Sequence, residues 1–266
     1  MNQGNVYWDW AAMQRNDVMP SILAIGDSWF WYPFPGGSLI SQLGPLVAPR
    51  SQTILAIGNN GAKAWDYVAG KYRDAVREAL RLHGTSLSAV FISGGGNDFA
   101  GFNDLRPMLN RDCSQAQDAL ACFATGNQAG SLDWLMHQMA QSYRLLINQI
   151  VMATPTACQI VLHNYDFAVP TGQGVFGNQQ SWLKPALVDA GVPENLQRAC
   201  VRQVLLRFTE VLKTMTQIDS ARIALVDSSG TLADSDWANE LHPTPAGFQK
   251  IARQRWRPVL EKAGLA

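Results

Sequence analysis

Five short apolar runs recur along the chain, at residues 22–25, 53–57, 90–93, 159–163 and 222–226, and a helical pattern separates each from the next. Runs this short and this uniformly apolar suit strands buried on both faces, and regular alternation of strand with helix leads to a parallel sheet covered on both sides. The expected fold is α/β: a three-layer α/β/α sandwich on a five-stranded parallel sheet, formed by one domain over residues 1–266. Leu132, Leu135, Met136, Met139, Tyr143, Leu146, Ile147 and Ile150 step by threes and fours behind a capping serine, which predicts an amphipathic helix over 131–152 that stops before Pro155. A shorter helix is predicted over 38–47, and a longer one over 64–83, broken at Gly70 and ended by Gly84. Pro193 and Glu194 open another that reaches Leu212, and Thr244 and Pro245 open the last, which runs toward Pro258.

With 266 residues and 47% hydrophobic content, the chain can fill such a core. Its 21 basic and 21 acidic residues balance, so nothing draws it to nucleic acid or to an anionic membrane. No apolar run approaches the ~20 residues of a membrane-spanning helix. A soluble protein is expected, either cytoplasmic or secreted. Cys113, Cys122, Cys158 and Cys200 lack zinc-ligand spacing. Cys113 and Cys122 share a polar segment in which a local disulfide and free thiols both fit. Residues 99–130 are more than a connection needs, so they form either a rim or lid over a site or a decorated loop; residues 172–177 are a smaller candidate.

In open parallel sheets ligands bind beyond the carboxyl ends of the strands, so those ends hold the candidate chemistry. The first run ends in Gly26-Asp27-Ser28, the second in Gly58-Asn59-Asn60-Gly61, and the third in Gly94-Gly95-Gly96-Asn97-Asp98. The fourth ends in His163-Asn164-Tyr165-Asp166, and beyond the fifth comes Asn239-Glu240-Leu241-His242-Pro243-Thr244. Each alone is ordinary turn or capping chemistry. Together they put a hydroxyl, an amide-presenting glycine, a carboxamide donor and an imidazole on one edge of one sheet. Those are the parts of an acyl-transfer site: nucleophile, oxyanion donors and general base.

In this order and spacing the motifs resemble the SGNH hydrolases, the GDSL esterase/lipase family. Gly26-Asp27-Ser28 is similar to the first block, Gly61 stands where the second has its glycine, Gly95-Gly96-Asn97-Asp98 is similar to the third, and His242-Pro243 to the last. The resemblance spans residues 22–252 and implies a flavodoxin-like α/β/α fold, no metal or other cofactor, and hydrolysis of carboxylic esters or thioesters. It implies Ser28 as nucleophile, His242 as general base, and an oxyanion hole made by the Ser28 amide, the Gly61 amide and the Asn97 side chain. One position departs. The family has aspartate three residues before the histidine, and here that residue is Asn239. An asparagine carbonyl can orient the imidazole but brings no charge and can present its amide the wrong way round. Asp236, Glu240 or a backbone carbonyl could serve instead.

His242 with its ordinary pKa would make activity fall as pH drops through ~6.5. His83 and His137 read as packing or helix-end residues, and His163 as a candidate for lining the pocket. Trp29, Trp31 and Trp65 surround the motifs and could receive an acyl chain, an aryl group or a sugar ring. Acetyl or short acyl esters of small molecules or glycans are the expected substrates, since no long apolar lid is evident. Two other functions fit the same residues: a catalytically impaired carbohydrate- or lipid-binding homologue, which Asn239 suggests, and an acyltransferase. A Gly-x-Ser-x-Gly elbow is excluded by Phe30, and a dinucleotide fingerprint is missing.

Overall fold

A computed structural model describes residues 4–31, 37–175, 177 and 181–266. Within them the sheet comprises β1 (Val6–Tyr7), β2 (Ile22–Gly26), β3 (Ile54–Gly58), β4 (Ala89–Ser93), β5 (Gln159–His163) and β6 (Ile223–Val226). The strands are all parallel, in the order β1-β3-β2-β4-β5-β6. The five apolar runs are β2 to β6. The sixth strand is an addition at the edge: two residues, paired only with Ile54 and Leu55, and too short for any periodicity to announce.

The strand order runs outward in opposite directions from β2, and this reversal opens a crevice beyond its carboxyl end. Gly26 is level with Gly58 of β3 on one side and with Ser93 of β4 on the other. Three motif loops therefore leave the sheet at one height. The packing is tight enough there to require glycine: Gly58 has φ +127°, and a Cβ on it would lie 2.0 Å from the Gly26 carbonyl oxygen.

Helices cover both faces. The helix Leu132–Ala153 starts where its pattern predicts, with the Ser131 side chain accepting from the Trp134 amide at 3.2 Å, and it packs against Glu194–Thr216. That second helix continues past Leu212 because Met215 extends its buried face. The stretch predicted as a helix over 64–83 broken at Gly70 is a single 3₁₀ turn, Ala64–Tyr67, before the break and the helix Arg73–His83 after it. The interruption falls at Gly70, where a Cβ would sit 2.5 Å from the Asp66 carboxylate. The last helix does not stop at Pro258. Pro245–Ile251 passes through a π-helical stretch, Ala252–Trp256, into Arg257–Lys262. The wide turns shift the amide-to-carbonyl pairing, so proline's missing N–H falls near the start of the final segment, where it costs least.

Residues 99–130 are tied to the helix Lys184–Asp189 and its end by an Arg106–Asp189 ion pair at 2.7 Å and by the Cys113 amide on the Ala190 carbonyl. All four cysteines are buried free thiols. Burial pushes the Cys113 thiol up to about 11, and it donates to the Cys122 carbonyl at 3.4 Å. The Cys200 thiol, on the helix Glu194–Thr216, reaches the Ala119 carbonyl at 3.8 Å. Among the described residues no helix is long and apolar enough to cross a membrane.

Candidate active site

Ser28 follows β2 after one residue and opens the short helix Ser28–Trp31. Asp27, between strand and helix, is 1% exposed and makes the turn: its amide donates to the Ser93 carbonyl, and its carboxylate accepts from the Trp29 amide at 3.0 Å. The Ser28 hydroxyl does not cap a helix. It lies 2.8 Å from His242 Nε2, contributed from 214 residues further along the chain.

Asn239 stands at the other nitrogen of the ring. Its Oδ1 accepts from the Leu241 amide at 3.0 Å and from the His242 amide at 2.9 Å, and it lies 3.0 Å from His242 Nδ1. Backbone N–H groups only donate, so the atom they both meet is the carboxamide oxygen and not its nitrogen. Nδ1 must then carry the ring proton in the neutral imidazole, which leaves Nε2 bare and facing the serine O–H. The ambiguity of an asparagine at this position is thus removed by two amides of its own loop. The other residues considered for that role are engaged elsewhere: Asp236 with Lys250 at 2.9 Å and the Ala233 amide at 2.8 Å, and Glu240 with the backbone amides of Gly172, Trp182, Leu183 and Lys184.

His242 is 5% exposed, and burial lowers its pKa to about 4. The ordinary value of ~6.5 expected from the sequence therefore does not hold at this site. A neutral carboxamide partner cannot offset the desolvation of an imidazolium as a carboxylate would.

Asn97 comes from the Gly96–Asp98 turn beyond β4. Its Nδ2 donates to the Ala62 carbonyl at 3.0 Å and, more loosely, to the Asp27 carboxylate at 3.4 Å. Tyr165 ties the same group together, its hydroxyl donating to Asp27 at 2.6 Å and accepting from the Gly96 amide at 3.0 Å. Burial raises Asp27 to about 6 and Asp98 to about 7. Gly61 is exposed, with φ +80° and open space where a side chain would be.

The cavity at Ser28 has a volume of about 30 Å³ and is bounded by Asn97, Phe99, Ala100, Ala168 and Leu205. Trp29 lines it and donates its indole N–H to the Leu241 carbonyl at 3.0 Å. The other residues read as pocket-lining lie elsewhere. Trp31 packs edge-on against Trp8, centroids 4.8 Å apart, and both line a separate cavity of about 340 Å³ at the β1–β3 edge. Trp65 stands 54% exposed beyond Gly61. His163 is a correction: it is 0% exposed, held between Ser93 at 3.0 Å and Ser228 at 2.7 Å, and burial lowers its pKa to about 3. A strand-end histidine surrounded by two hydroxyls in the core has no route to a ligand. Tyr165 and Phe99 were not singled out from the sequence, although Tyr165 belongs to the strand-end run His163 to Asp166. Among the described residues no cluster of three or more His, Cys, Asp or Glu could hold a metal ion.

No protein-family model and no curated protein matches the sequence. Solved structures do. The chain superposes on an extracellular lipase from Streptomyces rimosus with a TM-score of 0.58 at 20% identity, over 92% of this chain and 100% of that one. A carbohydrate acetylesterase family member from Sinorhizobium meliloti gives a TM-score of 0.54 at 16% identity, over 92% and 99%. A protein from Slackia heliotrinireducens named as a candidate SGNH hydrolase gives 0.50 at 15%, over 91% and 97%. The chain has the SGNH hydrolase fold. At these identities the likeness is one of architecture, and the SGNH fold places β2, β3 and β4 together without assigning chemistry to the residues they carry.

Proposed function

We propose that this protein is a serine ester hydrolase of the SGNH type, acting through a Ser28 acyl-enzyme. The observation that carries the proposal is the hydrogen-bonded relay from Ser28 through His242 to Asn239, with the tautomer set by two backbone amides. Nε2 takes the serine proton as Oγ attacks the ester carbonyl. The imidazolium then returns that proton to the leaving alcohol, and water repeats the cycle to release the acid.

Negative charge on the carbonyl oxygen would be met by the Ser28 amide, the Gly61 amide and the Asn97 Nδ2 group. The bond from Asn97 to Asp27 is the longer of its two, and it is the one a developing oxyanion would displace. Such a donor acts on charge present only in the transition state and is worth about 3 kcal/mol. Asn97→Ala is therefore expected to lower kcat by about 10²–10³-fold with little change in KM, measured by steady-state hydrolysis of p-nitrophenyl acetate.

The small cavity beside Ser28, lined by Phe99 and Leu205, favours acetyl and other short acyl groups, since about 30 Å³ holds roughly two or three non-hydrogen atoms at about 10–15 Å³ each. The shared architecture with a carbohydrate acetylesterase is consistent with that preference. On the alcohol side Trp65 offers an exposed aromatic face, which suits a sugar ring or a small aryl group. A p-nitrophenyl ester series from acetate to palmitate tests the reading, together with labelling by a fluorophosphonate mapped by mass spectrometry. The expected result is labelling at Ser28 and turnover that falls steeply once the acyl chain exceeds about four carbons. Inertness toward both esters and probe would leave a binding protein on the same fold.

A further inference from the structure

The carboxylate absent from position 239 is present one residue later, where it is wholly buried and bonded to no cation among the described residues. Glu240 is 0% exposed. Its Oε1 accepts from the amides of Gly172 at 2.8 Å and Lys184 at 3.1 Å, and its Oε2 from those of Trp182 at 2.7 Å and Leu183 at 2.8 Å. Its own amide donates to the Gln173 carbonyl at 3.0 Å. Four backbone N–H groups on one carboxylate fill its acceptor sites, and the anion is stabilised there without a counter-ion.

These bonds tie the loop that carries Asn239 and His242 to Gly172 and to residues 182–184. That segment brings the Trp182 ring edge-on to the His242 ring, with centroids 5.7 Å apart. Ser28, Asn239 and Trp182 lie against the imidazole, and none of these three is charged. A carboxylate buried two residues from the imidazole thus acts on it through a neutral aromatic wall.

We infer that Glu240 is a positioning residue for the proposed hydrolysis, clamping Trp182 against His242 so that the ring is held on Ser28 and kept from water. The inference rests on His242 being the base. Without the clamp the wall loosens, water reaches the ring, and the imidazolium becomes easier to form, so the acid limb of the rate profile moves up in pH. A ring no longer held on the serine also slows the chemical step while substrate binding is little affected.

The test is the pH dependence of kcat and kcat/KM with p-nitrophenyl acetate for wild type, Glu240→Gln, Trp182→Ala and Trp182→Phe. Glu240→Gln keeps the shape but turns part of the acceptor into a donor facing N–H groups. It is expected to lower kcat by roughly 10–100-fold with KM nearly unchanged, and to move the acid limb up by about one unit or more. Trp182→Ala should reproduce the shift, and Trp182→Phe should restore most of the wild-type profile. If Glu240→Gln does not fold, the Trp182 pair decides alone, since that side chain is only half-buried. Wild-type profiles in folded Glu240→Gln or in Trp182→Ala overturn the inference. Failure of the underlying reading is distinct: His242→Ala would then keep its activity.

Discussion

Ser28→Ala is expected to remove hydrolysis almost completely, lowering kcat by about 10⁴–10⁶-fold, and His242→Ala should do nearly as much. The two side chains are 2.8 Å apart and, in the proposed mechanism, take part in one event, the transfer of a proton as a bond to carbon forms. Each is of little use without the other. The double variant should therefore be scarcely worse than either single one, where independent contributions would multiply. What remains is the catalysis left to the oxyanion donors and to binding. Single-turnover release of p-nitrophenol from the acetate ester measures all three variants, with circular dichroism to establish that each is folded. A Ser28→Ala protein that keeps even a tenth of the activity would place the nucleophile elsewhere. A double variant far below both singles would mean that His242 acts on something other than Ser28.

The sheet was legible because each of β2 to β6 is an apolar run long enough to stand out, and the helix Leu132–Ala153 because eight buried positions recur at helical spacing. β1 was not, since two residues carry no period and it is fixed only by pairing with Ile54 and Leu55. At the site, the residue types and their order could be read, but not the directions of their bonds. Nothing in Asn-Glu-Leu-His tells which end of the Asn239 carboxamide faces the ring. That is decided by the Leu241 and His242 amides folding back onto one oxygen. Burial is equally hidden: His163 and His242 both lie at strand-end motifs, yet one is enclosed by Ser93 and Ser228 and the other meets the Ser28 hydroxyl. The pKa of His242 could not be foreseen either, because it depends on what covers the ring.

Asn239 carries the other large effect. Asn239→Leu removes the oxygen that holds Nδ1–H, and with it the reason for Nε2 to be bare. The ring is then free to adopt the tautomer that donates toward Ser28 and cannot accept its proton. In trypsin, replacing the triad aspartate by asparagine costs about 10⁴ in kcat through the wrong tautomer. A loss of about 10³–10⁴-fold is expected here, in kcat and not in KM. Asn239→Asp should behave differently, because a carboxylate can accept from the same three N–H groups and adds a charge beside the ring. That charge favours the imidazolium, so the acid limb, which in the wild type should fall near the His242 pKa of about 4, is expected to move up by about 1–3 units. Wild-type activity should be flat from pH 6 to 8, since the base is neutral throughout that range. At pH 8 Asn239→Asp should match or exceed the wild type, through better stabilisation of the imidazolium that forms as Ser28 attacks. At pH 5 it should fall below it. Profiles of kcat/KM from pH 3.5 to 9 separate these outcomes. An unshifted limb in Asn239→Asp, or full activity in Asn239→Leu, would mean that another group orients the ring. In the proposed mechanism the asparagine would exchange some transition-state charge stabilisation for a base that stays unprotonated in mild acid, which an aspartate in the same place would not allow.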